Sequence, residues 1–298
     1  MPKKDKLSWK RFQVKSHRRI RLKDFATGVG KPLDKESSRK MLEASRQKLA
    51  DIQDMLYAFN KFGVLIIFQA MDAAGKDGAV KHIMSGFNPL GVKVYSFKAP
   101  TSHELDHYYF WRHELALPAR GDIAIHNRSH YENVLVTRVH PEYVLSERIP
   151  GIDSVKKIDK EFWKARYKQI RRFETNLTDN GTIILKFFLH VSKKEQKKRF
   201  LERIDDPHKN WKFSLADLSE RQYWDKYQKA YEDAISATST DDAPWFIIPA
   251  DDKWFARLTI ASVIYHYFDR LDISYPKVNA EQKAELKKAR QQLLAEQK

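Results

Sequence analysis

The sequence predicts an α/β protein, an open parallel sheet sandwiched between helices in three layers. Three observations predict it. Val64 to Met71, "VLIIFQAM", is a continuous β-branched and aromatic run of strand length, which suits a strand covered on both faces. Strand-like runs then alternate with helical spacing along most of the chain, as right-handed βαβ crossovers require. Directly after the first run comes a glycine-lysine loop, "MDAAGKDG", that opens a helix.

The elements follow in order. Residues 1 to 24 hold ten Lys/Arg and two acids, part of a basic arm over 1–32 that packs on the body or contacts an anion. From Asp34 to Asn60, Leu42, Leu49, Ile52, Leu56 and Phe59 recur at helical spacing. After the first strand, a helix from Gly75 to Phe87 leads to strand Val92 to Phe97. A helix from His103 to Leu117 leads to strand Asp122 to His126, and a helix from Asp159 to Asn180 to strand Thr182 to Val191. The strand from Pro244, "PWFIIPA", leads into a helix from Trp254 to Leu271. Between the last two strands the chain is charged, helical and longer than an ordinary crossover; about 192–222 is where a lid would close. A long helical hairpin with a solvated face is the plain alternative. The tail 277–298 is expected to be helical, without site chemistry.

The 298 residues are 42% hydrophobic and 12% aromatic, ample for a large core. No stretch approaches the roughly 20 apolar residues of a membrane span, so no membrane-spanning segment is expected. The first residues lack the apolar segment of a secretory signal, and the chain contains no cysteine, so a reducing cytoplasm is the default location. A net charge of +16 favours polyanions: nucleic acid, anionic membrane or inorganic polyphosphate.

The loop departs from the standard phosphate-binding pattern, since Ala70 stands where the first glycine belongs and Asp77 where the hydroxyl belongs. Its backbone, Ala73, Ala74, Gly75 and Gly78, can surround an anion, with Lys76 as point charge and the helix dipole behind it. Asp72 would repel a phosphate unless Mg²⁺ or a proton lay between them, so its expected role is to hold Mg²⁺ or to orient the attacking phosphate. Asp77 either replaces the hydroxyl ligand or complements the helix dipole. "GDIAIHNRSHYENVL" has the outline of the second nucleotide motif, with Asn127 at the usual acidic position, then Arg128 and Ser129, and Glu132 as either the nearest substitute carboxylate or an exposed, salt-bridged side chain. Arg112, Arg120 and Arg138 flank this strand, and Lys81 and His82 lie one turn into the loop helix, together a possible channel for phosphates. The histidines suggest no zinc ligand set.

At these residues the sequence resembles the polyphosphate kinase 2 family, from about Leu33 to Tyr275. The resemblance rests on "MDAAGKDG", "NRSHYE", "RIDDPHKNWKFS", "YWDKYQKAYEDAI" and "APWFIIPADDKWFARL" in that order. It implies a P-loop kinase fold that moves phosphate between inorganic polyphosphate and nucleotides with Mg²⁺, Mn²⁺ being the alternative. It makes Asp72 the acid that activates the acceptor phosphate through metal, with Glu132 beside it. Lys76 and Arg128 then grip the transferring phosphoryl, and Arg203, Lys209 and Lys212 belong to the lid. "GKDG" and "NRSHYE" resemble the subgroup accepting both AMP and ADP; adenine nucleotides are expected, with guanine as the alternative base, and the family implies a homo-oligomer. Phosphoryl transfer needs charge neutralisation and in-line positioning, so direct transfer without a phospho-enzyme is expected. Two rivals predict otherwise: an ATP-dependent nucleoside monophosphate kinase, and an inactive polyanion- or nucleic-acid-binding module.

Overall fold

The computed structural model describes residues 9–30 and 35–296. Residues 1–8 and 31–32 of the arm, Asp34 at the expected helix start, and 297–298 of the tail lie outside the described residues. The sheet has five parallel strands: β1 (Gly63–Ala70), β2 (Val92–Ser96), β3 (Ile123–Asn127), β4 (Thr182–His190) and β5 (Trp245–Pro249). Their order is β2-β3-β1-β4-β5. All eight residues of β1 are buried, as the uninterrupted apolar run requires for a strand covered on both faces.

The chain leaves β1 over β3 to reach β2, and leaves β3 over β1 to reach β4. Because crossovers keep one hand, these opposite steps send the helices to opposite faces. One layer holds α1 (Lys35–Phe59), α2 (Lys76–Met84) and α11 (Lys253–Phe268), which pack on one another. The other holds α5 (Glu132–Val139), α7 (Lys160–Asp179) and α10 (Trp224–Thr238). The crossovers therefore part between β1 and β3, and the crevice beyond the strand ends there is where such sheets bind ligands.

The expected helix from His103 to Leu117 is instead two single turns, α3 (Ser102–Leu105) and α4 (Trp111–Glu114). A capping box between Thr101 and Glu104 starts the first, and rings from His107 to Phe110 then pack separately rather than along one helical face. A second difference is α5, followed by the turn α6 (Glu142–Leu145). "ENVLVTRV" is rich in β-branched residues, yet it is helical because Val134 and Leu135 are buried in the layer shared with α10.

Between β4 and β5 the chain makes α8 (Lys193–Asp205), the short α9 (Leu215–Glu220) and α10. The described arm packs on the body: Val14 N donates to Trp245 O at 2.8 Å and Leu22 N to Glu232 Oε1 at 2.8 Å. The tail forms α12 (Ala280–Ala295), capped by Asn279 and exposed throughout. Among the described residues no helix is long and apolar enough to cross a membrane.

Candidate active site

Two left-handed turns shape the crevice. Ala73 (φ 58°) and Gly75 (φ 104°) fold the chain after β1, and Arg128 (φ 66°) folds it after β3. Gly75 meets this need at no steric cost, whereas Arg128 is held there by its neighbours. Its N–H donates to Phe68 O at 3.0 Å, and buried Ser129 accepts from Gln69 Nε2 at 3.2 Å and from Tyr131 N at 3.2 Å.

The guanidinium of Arg128 bridges two carboxylates. Nη2 lies 3.1 Å from Asp72 Oδ1 and Nη1 lies 3.7 Å from Glu132 Oε2. Burial raises the Glu132 carboxyl above its ordinary value, although Arg128 and Lys76 oppose the shift. Lys76 is buried at the start of α2, with Nζ donating to Ala70 O at 2.8 Å. Burial first, and Arg128 second, lower its pKa to about 8. Asp77 Oδ1 accepts from Asn127 Nδ2 at 2.9 Å, which joins the first turn of α2 to the end of β3.

The loop is pinned from behind by Arg199 on α8, which is 4% exposed. All five of its N–H groups are used. Nη1 donates to Ala73 O (3.1 Å) and Ala74 O (2.8 Å), Nη2 to Ala250 O (2.7 Å) and Asp251 O (3.0 Å), and Nε to Glu195 Oε1 (2.9 Å). Gln196 Nε2 donates to Asp72 O at 2.9 Å, and Arg221 Nη1 donates to Gln196 Oε1 at 2.5 Å. A crevice of about 40 Å³ joins Asp72, Arg128 and Glu132 to Asp217 and Tyr227 of the β4–β5 excursion. Burial and then Asp72 raise the Asp217 carboxyl.

A larger cavity, of about 350 Å³, opens on the other side of Arg128 and Glu132, lined by Phe97, Tyr109, Arg112 and Val136 among others. Arg112 stands there with Nε 3.1 Å from Glu104 Oε1 and Nη1 donating to Lys98 O at 3.1 Å.

The other expected residues fall elsewhere. Lys81 is exposed on α2, whereas His82 lies among Arg257, Arg46 and Glu43, and burial followed by those arginines lowers its pKa to about 4. Arg120 donates to Lys61 O at 2.8 Å at the opposite end of β1, about 23 Å away by strand rise. Arg138, near the end of α5, faces Asp233 at 3.9 Å and covers the Trp163 ring. In the excursion, Arg203 lies 3.8 Å from Asp217, Lys209 pairs with Asp206 at 2.5 Å, and Lys212 lies over the exposed Trp211 ring.

His103 and His107 carry the i, i+4 spacing of a zinc helix, with Glu104 between them. The structure spends these groups otherwise: His107 stacks on Trp111 at 3.9 Å, and Glu104 caps α3 and pairs with Arg112. Among the described residues no group of three or more His, Asp or Glu side chains is arranged to hold a metal unaided.

A parallel 2-3-1-4-5 sheet with a lysine-bearing loop after its first strand defines a P-loop kinase-like α/β protein. The chain belongs to the polyphosphate kinase 2 family, whose family model matches residues 32–277. It is 49% identical over 290 residues to the ADP-polyphosphate phosphotransferase of Rhodopseudomonas palustris, covering 97% of this chain and 99% of the relative. It is 41% identical to the AMP/ADP-polyphosphate phosphotransferase of Meiothermus ruber, covering 90% and 96%. The crystal structure of polyphosphate kinase 2 from Arthrobacter aurescens superposes with a TM-score of 0.82 at 37% identity, covering 93% of this chain and 95% of that one.

Proposed function

We propose that this enzyme moves the terminal phosphoryl group between inorganic polyphosphate and AMP or ADP, forming ADP or ATP. The observation that carries the reading is the Asp72–Arg128–Glu132 constellation beside Lys76, where the crossovers part. Lys76 and Arg128 neutralise the transferring phosphoryl, and the backbone of Ala73, Ala74, Gly75 and Gly78 surrounds the donor phosphates. An oxygen of the nucleotide's terminal phosphate forms the new P–O bond as the bond to the shortened polyphosphate breaks. The 350 Å³ cavity adjoining Arg128 seats the acceptor nucleoside, adenine or guanine. No side chain becomes phosphorylated.

The donor set fits Mg²⁺, with Mn²⁺ as the alternative. Asp72 and Glu132 offer oxygen ligands on one crevice, and Mg²⁺ needs only one or two carboxylates, with phosphate oxygens and water completing its shell. When bound, the ion would neutralise phosphate charge and lower the repulsion between the acceptor and Asp72. The segment from about 192 to 222 supplies a lid, carrying Arg203, Lys209 and Lys212 over the substrates. A cytoplasmic homo-oligomer is proposed, on the absence of cysteine and on the exposed Leu286, Leu293 and Leu294 of α12, which offer an apolar contact surface.

The test combines Mg²⁺, polyphosphate and either AMP or ADP with the purified chain. ADP and ATP should form without added ATP. Activity only with ATP as donor, or binding without product, would replace this reading with one of its rivals.

A further inference from the structure

A groove of about 560 Å³ opens between the N-terminal arm and the starts of α8 and α10. Arg21 and Lys23 come from the arm, Ser192 from the N-cap of α8, and Gln228 from α10. The transfer chemistry above uses none of them. Even so, the groove shares an edge of the sheet with the 71–78 loop. His190 and Val191 at its base end β4, the strand beside β1, where Leu189 stands opposite Ala70. With strands about 4.8 Å apart, the groove begins within about 10 Å of the loop.

Its chemistry is that of an anion site. Lys23 is exposed, as are Lys193 and Lys194 in the first turn of α8, and these three have no ion pair among the described residues. Arg21 pairs with Asp24 only through Nε, at 3.3 Å. Two polar atoms in the wall lack partners: Nδ1 of His190, which is 5% exposed, and Nε2 of Gln228. The nearby acids are held by backbone groups, Glu232 by Leu22 N at 2.8 Å and Asp251 by Ser192 N at 2.7 Å, and Glu232 also lies 3.8 Å from Lys229, so the basic side chains outnumber the acid in the lining. Asp251 also ties the groove to the loop: its N–H donates to Thr27 O at 2.9 Å, and its carbonyl accepts from the same Arg199 that pins Ala73 and Ala74.

We propose that this groove is a second binding site for the polyphosphate donor, holding phosphates far from the reacting end. It sets affinity for long chains and leaves transfer to the 71–78 loop. The inference rests on the polyphosphate donor proposed above.

The experiment compares the unmodified chain with Arg21→Gln/Lys23→Gln on long-chain polyphosphate and on tripolyphosphate, each with ADP and Mg²⁺. The KM for long chains should rise about tenfold while that for tripolyphosphate changes less than about twofold, since only the long chain reaches the groove. With about 0.7 per cation for a flexible polyanion, the slope of log affinity against log salt should fall by about 1.4 for the long chain alone. Lys193→Gln/Lys194→Gln, in the first turn of α8 next to the lining residue Ser192, should give the same split. Equal change on both donors, or none, would overturn the second site. So would single-stranded DNA displacing long-chain polyphosphate as well as polyphosphate displaces itself, because the groove would then be a general polyanion surface. If the unmodified chain transfers phosphate from neither donor, the functional reading fails first and the second site with it.

Discussion

Asp72 and Arg128 stand at the ends of neighbouring strands whose crossovers leave toward opposite faces of the sheet, and they meet in an ion pair of 3.1 Å. The pair closes the switch point of the sheet with one acid and one base. Asp72→Asn keeps the shape and removes the charge, so transfer should slow by about a hundredfold or more while the unfolding midpoint barely moves. Steady-state kinetics beside a thermal melt check it; wild-type turnover would remove Asp72 from the chemistry.

Arg199→Ala would leave four loop carbonyls, those of Ala73, Ala74, Ala250 and Asp251, without their donor. Stability should fall by about 3–5 kcal/mol, the cost of breaking a buried charged network. Arg199→Lys, with three donors in place of five, should recover only part of it. Urea unfolding measures both.

Lys76 has a pKa of about 8 in the folded chain against an ordinary 10.5, because burial disfavours its charged form. Between those values the unfolded chain holds the proton and the folded chain does not, so this group's contribution to stability rises with pH across the window. Activity moves the other way, because the grip on phosphate needs the ammonium. The kcat/KM for polyphosphate should decline above about pH 8, while kcat at saturating donor declines later, since bound phosphate restores the charge.

Beneath the 128–132 turn, Lys186 donates to Glu174 at 2.5 Å, Tyr131 OH at 3.0 Å and Thr238 O at 2.8 Å, all inside the core. Burial pushes the Glu174 carboxyl up, and Lys186 with His130 overcomes it, leaving it below its ordinary value. Lys186→Met should cost about 3–5 kcal/mol, and the double variant Lys186→Met/Glu174→Gln clearly less than the sum of the single changes. Chemical denaturation of the four proteins closes the cycle; additive losses would show the pair uncoupled.

Strands β1, β3, β4 and β5 were legible because each is largely a buried apolar run, and the loop because its glycines and lysine directly follow one; β2, at the sheet edge with only Val92 buried, was legible from its β-branched and aromatic residues instead. Helix α5 was not, since its β-branched residues obey packing against α10 rather than propensity. Arg120 and Arg128 both flank β3 in sequence, but a parallel strand has a functional end, and only Arg128 is on it. Arg199 was hidden in "SKKEQKKRF", a charged stretch resembling a solvated helix face; nothing short of its burial separates it from Lys197 and Lys198.

The fastening of α8 has a mechanical consequence. Gln196 and Arg199 weld the first two turns of that helix to the backbone of residues 72–74, so the excursion is a lever with a fixed root. Phe200 is buried, whereas Leu201, Trp211 and Leu215 of the outer part are exposed. If the excursion is the lid proposed above, its outer part would close without moving the loop, and reopening would release the nucleotide while polyphosphate stays bound.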